Sequence, residues 1–118
     1  MQNRKLGRTS DHRKALLRNL ATEVILKGKI ETTEKKAMEL RSVVDGLITT
    51  AKNDNLANKK KIASYLRNVN GKDGKSVLKI LFEEVAPRYK DCKGGYTRVT
   101  KTGIRKGDAA PLATIELI

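Results

Sequence analysis

The most reactive side chains in the sequence are a single histidine and a single cysteine, His12 and Cys92. His12 lies among Arg8, Arg13 and Lys14, whose charges disfavour the imidazolium. A histidine in such company serves as a backbone or phosphate contact more readily than as a general base. Cys92 becomes a nucleophile only if a base approaches it. Followed by Lys93 and two glycines, it reads as a partly exposed thiol beside a basic loop. A zinc site needs about four ligands of the Cys/His kind, and the composition does not supply them. Glu83 and Glu84 are neighbours that point in different directions from a helix, and no paired-carboxylate motif stands out. Gly74-Lys75-Ser76 resembles the end of a phosphate-binding P-loop, but that motif requires glycine where Val69 stands, and the preceding segment reads as helix rather than strand. Neither an enzyme, a metal site, a cofactor nor a small-molecule substrate is expected.

What remains is positive charge. Lys and Arg number 26 against 13 Asp and Glu, for a net charge of +13. The excess is clustered: eight basic and two acidic residues over 1–29, seven and one over 87–107, but eleven and eight over 30–86. Such a field attracts a polyanion, and its clusters mark where the partner docks. The first cluster offers Arg4, Lys5 and Arg8 on an extended arm, then His12, Arg13, Lys14 and Arg18 on the polar side of a helix. The second offers Arg88, Lys90, Lys93, Arg98, Lys101, Arg105 and Lys106 on glycine-rich loops and a hairpin. Tyr89 and Tyr96 either stack on bases or serve packing and hydrogen bonding. Lys59, Lys60 and Lys61 are either a solvated helix start or a third phosphate contact. Isolated lysines such as Lys52 and Lys79 read as solvating charge.

The elements that must position these residues follow from periodicity and punctuation. Thr9 or Ser10 caps a helix with Asp11 at its positive end. Leu16, Leu17, Leu20, Ala21, Val24 and Ile25 give its stripe, and Gly28 stops it. Residues 29–32 read as a short strand. Thr33 is placed to cap a second helix carrying Ala37, Leu40, Val44, Leu47, Ile48 and Ala51, in which Gly46 costs about 1 kcal/mol relative to alanine. A turn over 53–55 precedes a third helix with Ile62, Leu66 and Val69 on its stripe. A loop over 70–74 leads to a fourth helix with Val77, Leu78, Leu81, Phe82 and Val85, which Pro87 is expected to terminate. Gly94-Gly95 precedes a strand over 96–101, a loop runs from 103 to 111, and a final strand covers 112–118. The pattern is α+β: about four helices packed on a small sheet of about three strands. An arm over 1–8 and one domain over 9–118 are expected. With aromatics at 3% and no tryptophan, the core must be built from Leu, Ile, Val and Ala. One cysteine suits a reducing compartment, and no apolar run approaches the ~20 residues of a membrane span.

Several polyanions could meet this field. Sequence-specific readers of single strands display stacking aromatics, and this chain has few. A helix-turn-helix wants a tight turn where this chain has a strand. A membrane-surface helix wants the leucines that the core needs. Recognition of a folded RNA by shape and phosphate is the best match, with a free DNA-organising factor as runner-up and an RNA-acting enzyme third.

The residues then resemble a known family. Arg4-Lys5-Leu6-Gly7-Arg8-Thr9-Ser10, followed by the run from His12 to Thr22, is similar to the opening of bacterial large-subunit ribosomal protein seventeen. Matches follow in order at 30–33, 39–41, 47–49, Gly94-Gly95-Tyr96-Thr97-Arg98, Gly107-Asp108-Ala109-Ala110-Pro111 and 115–117. The resemblance implies a structural component of the large ribosomal subunit in the cytoplasm. It implies contacts to large-subunit ribosomal RNA and to neighbouring ribosomal proteins, with no membrane role and no homo-oligomer. On the matching positions it implies RNA contacts for Arg4, Lys5, Arg8, His12, Arg13, Lys14, Arg18 and Arg98. Two departures are Gln2 and Asn3, where a basic residue and a histidine are common, and Cys92-Lys93, where an arginine is common.

Overall fold

Asp11 lies in the first turn of helix α1 (Ser10–Lys27) and Lys27 in its last, matching the helix dipole at both ends. The structure, a computed structural model, describes residues 10–67, 69–71 and 74–118. The expected arm with Arg4, Lys5 and Arg8, and the alternative cap Thr9, lie outside the described residues. Gly28 ends α1 with φ 84°, a left-handed geometry that side chains resist. Its amide donates to the Val24 carbonyl at 2.8 Å, and its own carbonyl accepts from Leu117 at 2.8 Å. The chain thus leaves the helix already bonded to the last strand.

Strand β1 (Lys29–Thr33) runs into α2 (Glu34–Lys52), whose buried positions Ala37, Leu40, Val44, Ile48 and Ala51 form the expected stripe. Thr33 occupies the N-cap position of α2 without a side-chain capping bond. Asn55 caps α3 (Leu56–Tyr65) by accepting from the Asn58 amide at 2.9 Å. Then follow α4, strand β2 (Thr97–Ile104) and strand β3 (Pro111–Leu117). α4 is continuous over 77–88: an α segment Val77–Ile80, a π turn Leu81–Val85 and a last turn Ala86–Arg88. Among the described residues this makes four helices and a three-stranded antiparallel sheet of order β1-β3-β2, the expected α+β fold. Ile115 of the central strand pairs with Ile30 on one side and Val99 on the other, and Ile115 and Ala113 are fully buried beneath the helices.

Three sequence expectations need correction. The third helix stops at Tyr65, so Leu66 is its C-cap and Val69 is exposed. The cause is α1. Arg18 donates from Nε to the Tyr65 carbonyl and from Nη2 to the Ser64 carbonyl, each at 2.8 Å, and the Thr22 hydroxyl accepts from the Arg67 amide at 3.1 Å. Partners from another helix therefore take the groups that a further turn would have used. Pro87 does not terminate α4 but sits inside its last turn. The Ala86 amide reaches five residues back to the Leu81 carbonyl, so the turn restarts there and Pro87 stands where a first-turn proline needs no amide partner. β2 runs to Ile104, past the expected end, through a bulge between Lys101 and Gly103.

Candidate nucleic-acid interface

The first cluster is divided by its partners. Arg13 points inward and pairs with Glu39 of α2, the two side chains each only 10% exposed. Arg18 spends its fork on the carbonyl end of α3 and lies over the Tyr65 ring, 5.6 Å from its centroid. Burial pushes the Tyr65 hydroxyl above its usual range, against the opposing charge of Arg18. Both arginines brace α1 against α2 and α3. Lys14 is exposed on the same helix and has no ion-pair partner among the described residues. His12 is exposed as well. On α3, Lys59 pairs with Asp54 at 3.2 Å and lies over Phe82, while Lys60 and Lys61 are exposed with no ion-pair partner among the described residues.

The second cluster surrounds the β2–β3 hairpin. Tyr96, a candidate either for stacking on RNA bases or for packing, is 2% exposed and belongs to the core, which rules out the stacking role. It meets Tyr89, equally buried, with ring centroids 5.2 Å apart. Lys52, read as solvating charge, instead donates to the Tyr96 hydroxyl at 3.0 Å and to the Cys92 carbonyl. Its hydrogen bond, followed by one from Thr49, draws the Tyr96 hydroxyl below its usual range. The Tyr89 hydroxyl donates to the Ile118 carbonyl at 2.5 Å. Both tyrosines thus set the path of the loop carrying Lys90, Cys92 and Lys93. Gly95 turns that loop into β2 at φ 68°, a conformation open to glycine.

Every residue from 100 to 109 is exposed, so the outer hairpin is solvated along its length. Its root is tied down: Arg98 bonds Glu116 across the strands at 2.8 Å, Lys101 approaches Glu34 of α2 at 3.6 Å, and Thr102 donates to Glu31 of β1 at 2.7 Å. Its tip is tied too. Arg105 holds Asp108 through two hydrogen bonds, the Asp108 carboxylate accepts from the Ala110 amide, and Ala109 is kept at φ 56°. Lys106 projects from this braced turn with no ion-pair partner among the described residues. The Arg88 guanidinium stacks over Tyr89 at 5.8 Å.

The tip gives a pH prediction. The bond from Arg105, then that from the Ala110 amide, holds the Asp108 carboxyl down from 3.8 to about 2. A depressed carboxyl supports the closed tip fully above its ordinary value, and that support is lost as pH falls through about 2. Carboxyl carbon NMR should place the Asp108 midpoint near 2 in the native chain and close to the ordinary value in Arg105→Gln. Identical midpoints would show that Arg105 does not hold the turn.

Glu39, Lys52 and Thr22 are positioning residues that sequence reasoning missed. Glu34, Asp45 and Lys52 are spaced by whole helical turns, and all three touch β2 or its lead-in: Lys101, Thr97 and Tyr96. That spacing was the available signal. Among the described residues no group of three or more His, Cys, Asp or Glu could hold a metal ion, and no helix is long and apolar enough to cross a membrane.

A helix-backed antiparallel sheet with exposed lysines on braced elements defines a basic α+β protein. Residues 16–118 match the family model described as ribosomal protein L17, and the chain belongs to that family. It is accordingly a structural constituent of the large ribosomal subunit, associated there with ribosomal RNA and ribosomal proteins.

Proposed function

We propose that the chain holds large-subunit ribosomal RNA, in the cytoplasm, through two phosphate-binding faces and so supports subunit architecture during translation. One face combines Lys14, Lys60 and Lys61 on α1 and α3, with His12 beside them. The other combines Lys93, Lys106, Arg88 and the hairpin cations Arg98, Lys101 and Arg105. Arg4, Lys5 and Arg8, outside the described residues, add their charge to RNA binding in this reading.

The observation that carries this reading is the contrast between cations that the fold consumes and cations that it leaves outward. Arg13 and Arg18 are consumed by the fold, while Lys14, Lys60, Lys61, Lys93 and Lys106 are held outward by braced elements without an acidic partner among the described residues. The pairs of Arg98, Lys101 and Arg105 leave those side chains 60%, 80% and 49% exposed. Exposed pairs contribute about 0–1 kcal/mol, so a phosphate competes for them readily.

The chain should co-sediment with large subunits from lysate and be released by RNase but not by DNase. A pool found mainly off ribosomes, or released by DNase, would point to a free DNA-organising factor instead.

A further inference from the structure

Gly46 is unexplained by the fold. It lies exposed in the interior of α2, where glycine costs about 1 kcal/mol relative to alanine. Its φ is not positive, and a Cβ built on it meets nothing within 4 Å. Neither backbone conformation nor internal packing requires the missing side chain. What lies over it is a groove of about 1090 Å³ between α1, α2 and α3. The groove follows α2 from Met38 to Thr50, about 18 Å at the helical rise.

Beside the mutually paired Arg13 and Glu39 and the carbonyl-bound Arg18, the lining has three chemistries. Leu17, Met38, Val43, Leu47 and Tyr65 make an apolar floor, with Met38 46% exposed. Ser42, Thr50 and Ser64 add hydroxyls along it. Lys14 and Lys61 stand at its margin, exposed and without ion-pair partners among the described residues. Apolar surface for flat faces, hydroxyls for polar edges and cations for phosphates together describe the environment of an unstacked nucleotide.

We infer that the groove over Gly46 receives unpaired nucleotides of the ribosomal RNA, a bulge or loop rather than a duplex, with bases on the Met38–Leu47–Tyr65 floor and phosphates on Lys14 and Lys61. The inference rests on the RNA-binding reading above and deepens it. Glycine at the floor lets a planar base lie against the helix backbone. The chain's own basic segment is a poor occupant, because Arg4, Lys5 and Arg8 carry the charge sign of the margin. A second copy would set like-charged margins against each other. A duplex exposes phosphates and would leave the apolar floor uncovered.

The sequence contains two methionines, Met1 and Met38, so diazirine-bearing photo-methionine reports from the groove when compared with the Met38→Leu chain. Labelled full-length chain is assembled into large subunits and irradiated. The expected result is a Met38-dependent adduct on RNA, mapping to unpaired nucleotides. It should be at least tenfold weaker in Gly46→Phe, which fills the groove, and weakened to a lesser degree in Gly46→Ala, whose methyl lifts the base off the backbone while raising the melting temperature. An adduct on a protein or on paired nucleotides would overturn the inference. So would the lack of any adduct beyond that of Met38→Leu, or one undiminished in Gly46→Phe. A labelled chain that never enters large subunits contradicts the functional reading itself, whereas those other outcomes leave that reading standing and remove only the occupant of the groove.

Discussion

Arg13→Ala is expected to lower the unfolding free energy by about 3–5 kcal/mol, the usual cost of removing one member of a buried ion pair. The reason is the partner left behind. Glu39 is nine-tenths buried on α2 at the edge of the groove, and without Arg13 its charge loses its counter-ion with little water to replace it. The pair is not well satisfied even when intact, since Arg13 Nε and Glu39 Oε2 are buried without a hydrogen-bond partner among the described residues. A shape-matched apolar pair should therefore serve nearly as well. Arg13→Met combined with Glu39→Leu should recover most of the loss, and urea unfolding of the two single variants and the double variant measures the coupling directly. A cost below about 1 kcal/mol for Arg13→Ala would mean that the pair behaves as a hydrated surface contact.

The second large effect concerns RNA and leaves the fold alone. Replacing Lys14, Lys60 and Lys61 together by glutamine should reduce the slope of log affinity against log salt by about 2–3, since each lost phosphate contact removes roughly 0.7–0.9. The three lysines are exposed and make no ion pair among the described residues, so the urea midpoint should stay where it is. Arg18→Gln should do the reverse. It should shift the midpoint by freeing the Ser64 and Tyr65 carbonyls, with a smaller change in salt slope. Titration of total large-subunit ribosomal RNA at several salt concentrations checks both. An unchanged slope in the triple variant would mean that this face of α1 and α3 meets protein or solvent.

These two results separate what was legible in the sequence from what was not. The stripes of α1 and α2, the stop at Gly28, the turn over 53–55 and the closing strand pair are local signals, and they appear where periodicity and turn residues placed them. The charge clusters were visible for the same reason. Which cations were free was not visible, because the deciding partner sits on another element. Glu39 lies far from Arg13 in the sequence, and the carbonyls taken by Arg18 lie farther still. Tyr96 illustrates the same limit. Its sequence setting, after Gly95 and two residues before Arg98, left stacking on RNA open, but its neighbours in space are Tyr89 and Lys52, which make it core. The end of α3 and the survival of α4 through Pro87 were likewise set by non-local or register effects that residue preferences do not record. Gly46 was legible as a cost, and only the groove above it suggested what the cost serves.

The most direct test of the central claim is a map of protein–RNA crosslinks on purified large subunits, read residue by residue along the chain. Adducts are predicted at Lys14, Lys60 or Lys61 on the helical face and at Lys93 and Lys106 beside the hairpin. Adducts confined to Lys29 and Lys35, with these lysines joined only to protein, would contradict it.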